Sequence, residues 1–200
     1  LAAVYAARSG LSITEIALFA SIPILAGALA QVPVGILSDR YDRRVVLLGT
    51  ATIALVADAV FVFSGLSAPW TILAMSAVFG ASVFAMYPVI VAHASDHAAP
   101  GTFIQVSGGL LLVFGIGSII GPTIAGFAMT SFGNSSLFAI TGTAHLLLVG
   151  FAAFRLRTSA AVAQEDKVAF QATPLPRSST PETAVLAEKD APHTPSNTKA

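Results

Sequence analysis

The 200-residue chain has no cysteine and few charged residues. The missing cysteines exclude disulfide bonds and cysteine-ligated metal sites. Charged residues make up 10% of the chain, whereas a soluble globular domain has about 25%. The net charge of zero argues against a nucleic-acid partner. With 55% hydrophobic residues and a mean hydropathy of +0.81, the composition indicates an integral membrane protein.

Two long segments, 16–38 and 98–154, contain no Asp, Glu, Lys or Arg. A bilayer core of about 30 Å requires about 20 such residues per helix. Turn residues divide the chain into five complete spans. Four lie at about 14–37, 45–63, 71–92 and 103–129, and the fifth ends near 157. Residues 1–7 match the outer end of a sixth helix that begins before Leu1. The predicted fold is an all-α transmembrane bundle, in a fragment of a longer chain.

Two local patterns mark the limits of this bundle. Ser12 and Glu15 have the spacing of a capping box, with Thr14 as a competing cap, and predict a helix start. From Thr158 onward the chain is rich in Ala, Thr, Pro and Ser with mixed charges. Such a composition buries too little apolar surface to fold alone. We therefore predict a bundle at 1–157 and a disordered tail at 158–200.

The segment Gly35–Arg44 places five charges among six consecutive residues, between two hydrophobic spans. A charge at the centre of a membrane helix costs about 2.5–3.5 kcal/mol on insertion scales. The cluster is therefore expected in a short loop in water. Short cytoplasmic loops are enriched in Lys and Arg, so this loop is predicted to be cytoplasmic. Because successive spans cross the membrane in alternate directions, most of the basic residues then lie on the cytoplasmic side: Arg40, Arg43, Arg44, Arg155 and Arg157, with His93 and His97. Arg8 alone falls on the other side, which predicts a cytoplasmic tail.

The residues Gly35, Asp39, Arg40, Arg43 and Arg44 resemble the signature loop of the major facilitator superfamily, with Asp42 in place of the usual second glycine. A second stretch, 117–126, resembles the Gly-Pro helix motif of the same family through Gly117, Gly121, Pro122 and Gly126. Segments 87–97 and 110–122 are most similar to a bacterial subgroup of unassigned substrate.

The resemblance implies a twelve-helix transporter built from two halves. Because no span follows the fifth one, it assigns 1–157 to the C-terminal half, with part of helix 7 and helices 8–12. It also implies the bacterial inner membrane, a membrane-lipid environment, a small-molecule substrate, and the missing N-terminal half as partner. The function implied is secondary transport by alternating access, with proton coupling as an open addition.

The resemblance also suggests roles for the two motifs. Asp39 and its arginines would form a conformational switch, with the partner in the missing half; the alternative is a plain topology signal. The glycines at 117 and 121, with Ala125, form a stripe of small residues that lets helices approach closely. Pro122 removes a backbone hydrogen bond. Tight packing and a hinge between the halves need these same residues, so both readings stay open.

Four residues are candidates for the substrate cavity: Gln31, Ser82, Met86 and Tyr87. Gln31 is a polar group inside a span and requires a protein or cavity environment, so a cavity role and an interhelical hydrogen bond are both open. The other three share one face of a helix by spacing. The family fold implies that this helix, the tenth, lines the cavity.

Asp58 is the one Asp, Glu, Lys or Arg in the interior of a predicted span, away from its ends, and is a candidate for proton coupling. The family fold places its helix at the periphery, which weakens that role. His145 in the last span is predicted to be a packed neutral histidine rather than a proton relay. His93 and His97 have metal-ligand spacing if helical, but the nearby Pro100 and Gly101 favour a surface loop.

No span pairs a nucleophile, a base or a metal-ligand cluster, so we predict no enzyme, no catalytic residue, no metal and no cofactor. A nucleotide-binding Gly-x-x-x-x-Gly-Lys-[Ser/Thr] loop is also absent from the sequence. The predicted function is secondary transport of a small molecule. The alternative is a membrane scaffold or partner-binding half-protein that does not transport.

Overall fold

The computed structural model describes residues 1–99 and 102–158. Six helices are present in this part of the chain: α1 Ala2–Arg8, α2 Ile13–Arg40, α3 Arg43–Phe63, α4 Pro69–Asp96, α5 Phe103–Ser131 and α6 Ser136–Thr158. The last five are long and apolar enough to cross a membrane. The predicted all-α transmembrane architecture is confirmed. The predicted tail lies outside the described residues, except for Thr158, which ends α6.

The helix starts follow local sequence chemistry. Ser12 is the N-cap of α2, and both halves of its capping box with Glu15 are formed, so Thr14 is not the cap. Asp42 caps α3 by accepting a hydrogen bond from the backbone N–H of Arg44 at 2.9 Å. Pro69 begins α4, where its missing N–H has no intrahelical partner to lose.

Several helices are longer than the predicted spans, because a helix continues beyond the apolar segment into polar residues. α2 extends to Arg40, and α4 extends through His93 to Asp96. The prediction of a surface loop at His93 and His97 was wrong for His93, which is helical; His97 is the C-cap residue. Their rings pack 4.6 Å apart.

The helices alternate in direction, so the bundle has two polar ends. We call the end with the C-termini of α2, α4 and α6 the basic end, because it carries Arg40, Arg43, Arg44, Arg155 and Arg157. The opposite end holds Arg8 and Glu15. There, Arg8 donates a hydrogen bond to the carbonyl of Met129, and the amide of Asn134 donates one to the carbonyl of Tyr5. These bonds tie α1 to the end of α5 and to the α5–α6 turn.

An aromatic core fills the half of the bundle near this opposite end. Phe61 and Phe138 stack with ring centroids 4.0 Å apart, and Tyr5 meets Phe138 edge-on at 4.8 Å. Phe19 and Phe79 complete the group. Aromatic pairs of this kind are worth about 0.5–1.5 kcal/mol each beyond their buried area, so this core fixes α1, α2, α3, α4 and α6 against one another.

The closest helix contact joins α2 and α4, which run parallel. Cβ atoms added at Gly27 and Gly80 would collide with Phe84 and with the backbone of Pro23, respectively. Both glycines therefore serve close approach, which small residues permit.

α5 lies at the margin of the bundle. In the most apolar 18-residue segment of this helix, no residue is buried within the described part of the chain. Its main contacts come from two places. The ring of Phe114 packs against Tyr87 of α4, and a few residues near the C-terminus of α5, such as Met129, are buried. A large part of α5 is thus open to lipid or to another protein segment.

Candidate functional site

The charged residues of the segment Gly35–Arg44 form a compact network at the basic end. Only Tyr41 and Asp42 lie between α2 and α3, so the predicted loop over Gly35–Arg44 is mostly helical. Gly35 is buried within α2, and Arg40 ends that helix with its side chain exposed. The prediction that the whole cluster lies in water was wrong for Arg43 and Arg44, which are buried.

Arg43 is the centre of the network and joins three helical segments. Its Nε donates to Asp96 of α4 at 2.7 Å, and both side chains are 1% exposed. Its Nη1 lies 3.4 Å from Asp39 and 3.4 Å from the hydroxyl of Ser38, both on α2. The buried pair with Asp96 is the tighter contact. The Asp39 side chain is 40% exposed, so its interaction with Arg43 is open to solvent and to other chain segments.

Arg44 extends the network to the last helix. It forms an ion pair with Asp42 at 2.7 Å and donates a hydrogen bond to the carbonyl of Arg155 at 3.1 Å. A cation suits this position because carbonyls near a helix C-terminus carry partial negative charge. The start of α3 is thereby fixed to α4 through Arg43 and to α6 through Arg44.

Asp42 departs from the family pattern without distorting the turn. Its φ is −60°, a value that all residues adopt, so glycine is not required for this conformation. Unlike a glycine, Asp42 caps α3 with its side chain and forms an ion pair with Arg44.

The arginine partners were missed in the sequence, where a partner for the switch was expected in the missing half. Asp96 lies beyond the predicted span 71–92, because the end of α4 was predicted too early. The sequence did contain a signal for this pairing. Asp96 is an acidic residue predicted on the same side of the membrane as Arg40, Arg43 and Arg44. Ser38 carried no such signal, and only the geometry of α2 brings its hydroxyl to Arg43.

The Gly-Pro motif lies on α5, which continues through Pro122. A Cβ added at Gly117 or Gly121 would meet no atom within 4 Å, and one at Gly126 would meet only Leu1, at 3.7 Å. Ala125 is buried within the chain. The small residues Gly117 and Gly121 therefore face away from the other described helices.

The four cavity candidates have different surroundings. Ser82 is buried and donates its hydroxyl to the carbonyl of Val78 in its own helix. Met86 is buried in a cluster with Ala51 and Ala54 of α3. Tyr87 is half-buried, with its ring 5.8 Å from that of Phe114 in α5. Gln31 is half-buried on α2. Their contact with a substrate stays a prediction.

Asp58 has partners that sequence reasoning did not connect to it. Nδ1 of His145 lies 2.6 Å from its Oδ2, and the hydroxyl of Thr141 donates to its Oδ1 at 2.7 Å. His145 is thus packed against a carboxylate, and its role stays a prediction. The ring of Phe79 contacts the imidazole edge-on. Among residues 1–99 and 102–158, no group of three or more His, Cys, Asp or Glu could hold a metal ion.

Comparison with known proteins agrees with the motifs. The family model of the Major Facilitator Superfamily matches residues 1–190. An uncharacterized MFS-type transporter of Enterobacter sp. (strain 638) is 28% identical over 134 residues, which is 67% of this chain and 34% of that protein. The uncharacterized MFS-type transporters YcaD of Salmonella arizonae and of Escherichia coli O139:H28 are 27% identical over the same shares. No solved structure matches.

The match covers only part of these relatives: it spans about a third of their length. The family model, in contrast, covers nearly all of this chain. Together with five membrane-spanning helices, this match shows a multi-pass integral membrane protein of a transporter family. The chain belongs to the major facilitator superfamily.

Proposed function

We propose that this chain is the C-terminal half of a secondary transporter that moves a small molecule by alternating access. In this assignment α1 is the end of helix 7, and α2–α6 are helices 8–12. The basic end faces the cytoplasm of a bacterial inner membrane, with the tail on the same side. The observation that carries the proposal is the unequal anchoring at the basic end, where Arg43 is buried against Asp96 while Asp39 is 40% exposed.

This arrangement suits a switch in which one ion pair of Arg43 stays formed and the other can be exchanged. The Arg43–Asp96 pair holds α3 to α4 inside the half. Asp39 interacts with the same arginine across a longer distance and reaches the surface. When the two halves close at this end, Asp39 is placed to exchange Arg43 for a group of the other half. Alternating access requires two states separated by such differential contacts.

The exposed surfaces of α5 and α6 differ in character, and that of α5 suits another half. α6 presents large apolar residues outward, among them Leu147 and Phe151, as expected of a helix that faces lipid. α5 presents Gly117 and Gly121, and such small residues favour close packing against another helix. The missing N-terminal half is the partner that this face fits, and a substrate site between the halves would include Gln31 and Tyr87.

Uptake by the full-length protein tests the proposal. Proteoliposomes are incubated with a mixed panel of small molecules, and the internal contents are identified by mass spectrometry. We expect at least one compound to accumulate, and Asp39→Asn to lower its uptake by about fivefold or more while the thermal unfolding midpoint is unchanged. Arg157→Gln, an exposed basic residue on the same side, is the matched control and should transport normally.

The same assay separates the alternatives. A proton gradient that changes uptake of the found compound would support proton coupling, for which Asp58 is the candidate. Uptake that is independent of the gradient would exclude such coupling. No accumulation of any compound, with a correctly folded protein, would favour a membrane scaffold that does not transport.

A further inference from the structure

The outward face of α6 is an apolar stripe that ends between two arginines. Leu147, Phe151 and Phe154 form the stripe, and they are 70%, 62% and 61% exposed. Arg155 and Arg157 follow in the last turn of the helix, and both are exposed. From the helical repeat, Arg155 and Arg157 lie about 80° to either side of Leu147 around the helix. The two arginines therefore flank the stripe where it ends.

The position of this face relative to a bilayer follows from the length of α6. From Leu137 to Phe154 the helix contains no Asp, Glu, Lys or Arg. That segment is about 26 Å long, close to the thickness of a hydrocarbon core of about 30 Å. The opposite face of α6 is packed within the chain, where Ala152 is 3% exposed. The stripe thus faces lipid, and the two arginines lie at the level of the headgroups.

Arg155 and Arg157 have no acidic partner among the described residues. The basic end carries five arginines and three aspartates, namely Asp39, Asp42 and Asp96. Arg43 or Arg44 contacts each of these aspartates. The carbonyl of Arg155, near the C-terminus of α6, already accepts a hydrogen bond from Arg44. The unbalanced positive charge of this end therefore lies on its exposed arginines.

A phosphate group matches this pair of guanidinium groups. Each guanidinium is a planar donor that can form two parallel hydrogen bonds with phosphate oxygens. An arginine close to an anionic lipid surface also strengthens binding through its charge. The stripe next to the arginines supplies apolar surface for hydrocarbon chains. A ligand that combines an anionic phosphate with long acyl chains uses both parts of this face.

We propose that α6 binds an anionic phospholipid, with its acyl chains along Leu147, Phe151 and Phe154 and its phosphate between Arg155 and Arg157. A lipid is the occupant because the stripe runs from the headgroup level into the span, where a free phosphate has no contact to make. The site is separate from the α2 and α5 surfaces assigned to the other half. The proposal does not depend on the transport function, and loss of the lipid should leave uptake unchanged.

Native mass spectrometry of the full-length protein tests this directly. Delipidated protein in detergent is titrated with dioleoyl phosphatidylglycerol or with dioleoyl phosphatidylethanolamine, and the bound lipids are counted. We expect the natural protein to bind phosphatidylglycerol more tightly. Arg155→Gln and Arg157→Gln should each weaken that binding by about fivefold. Arg40→Gln removes the same charge from an exposed residue at the end of α2 and is the matched control, with an expected change below about twofold.

Inorganic phosphate in the same titration separates a lipid from a free anion. We expect phosphate at the concentration of the lipid to leave phosphatidylglycerol bound, because it makes no use of the stripe. Displacement by phosphate would show a site for the free anion and contradict the proposal. Equal binding of the two lipids by the natural protein would overturn it, as would equal effects of Arg40→Gln and Arg157→Gln.

Discussion

Arg43→Ala is expected to destabilise the full-length protein by about 3–5 kcal/mol, because it removes the closely paired cation from a buried carboxylate. The Asp96 side chain is 1% exposed and receives a 2.7 Å hydrogen bond from Arg43. Removing the arginine also ends its contacts with Ser38 and Asp39 on α2. The measurement is the free energy of unfolding in detergent micelles, followed by circular dichroism at increasing denaturant.

Two further variants separate the lost pair from a general loss of positive charge. Arg40→Ala removes a neighbouring exposed arginine and should change the free energy of unfolding by less than about 0.5 kcal/mol. Arg43→Met with Asp96→Asn removes both charges of the pair and should recover much of the loss, since neither position then keeps a buried charge that has lost its ion-pair partner. Equal effects of Arg40→Ala and Arg43→Ala would contradict the central position of Arg43.

Gly80→Ala is expected to force α2 and α4 apart. The added methyl group would collide with the backbone of Pro23, which cannot rotate away as a side chain can. Overpacking of this kind costs about 1–3 kcal/mol, against a gain of up to about 1 kcal/mol because alanine favours a helix over glycine. The clash therefore exceeds the gain, and the unfolding midpoint should fall.

Gly49→Ala is the matched control for this change. Gly49 is also a helical glycine, in α3, and a Cβ there would meet no atom within 4 Å. Only the helix-propensity gain remains, so this variant should be as stable as the natural protein or more so. A Gly80→Ala protein that gains stability like Gly49→Ala would show that α2 and α4 are not in such close contact.

Sequence patterns were sufficient for the features that depend on neighbours along the chain. Hydrophobic length predicted the five spans, and the spacing of Ser12 and Glu15 predicted the cap that begins α2. Charge distribution along the chain placed all the described arginines except Arg8 at one end of the bundle. Each of these features is decided by residues within one or two helical turns, and the spans also by bilayer thickness.

Pairings between helices could not be predicted, because they depend on rotation and register. Arg43 and Asp96 are 53 positions apart, and their contact depends on how α3 and α4 pack and on a helix that runs past the apolar segment. Asp58 and His145 are 87 positions apart. Each was noted as an isolated polar residue in its own span. Only the packing of α3 on α6 shows that they are in contact.

The small residues illustrate a different limit. Gly27 and Gly80 serve close contacts inside the chain, whereas Gly117 and Gly121 have no described neighbour. All four are glycines in apolar helices, and spacing alone does not distinguish an internal contact from a surface that awaits another segment. The distinction requires the position of each helix in the bundle.

Alternating access is tested most directly by the reactivity of one residue from both sides of the membrane. Gln31→Cys in the full-length protein, with any other cysteines replaced, is labelled with a membrane-impermeant maleimide added to either face of sealed vesicles. Leu147→Cys, 70% exposed on the surface of α6 assigned to lipid, is the control. We expect labelling of Gln31→Cys from both faces, with Asp39→Asn raising the labelling from one face and lowering it from the other. Labelling from a single face that Asp39→Asn leaves unchanged would contradict alternating access.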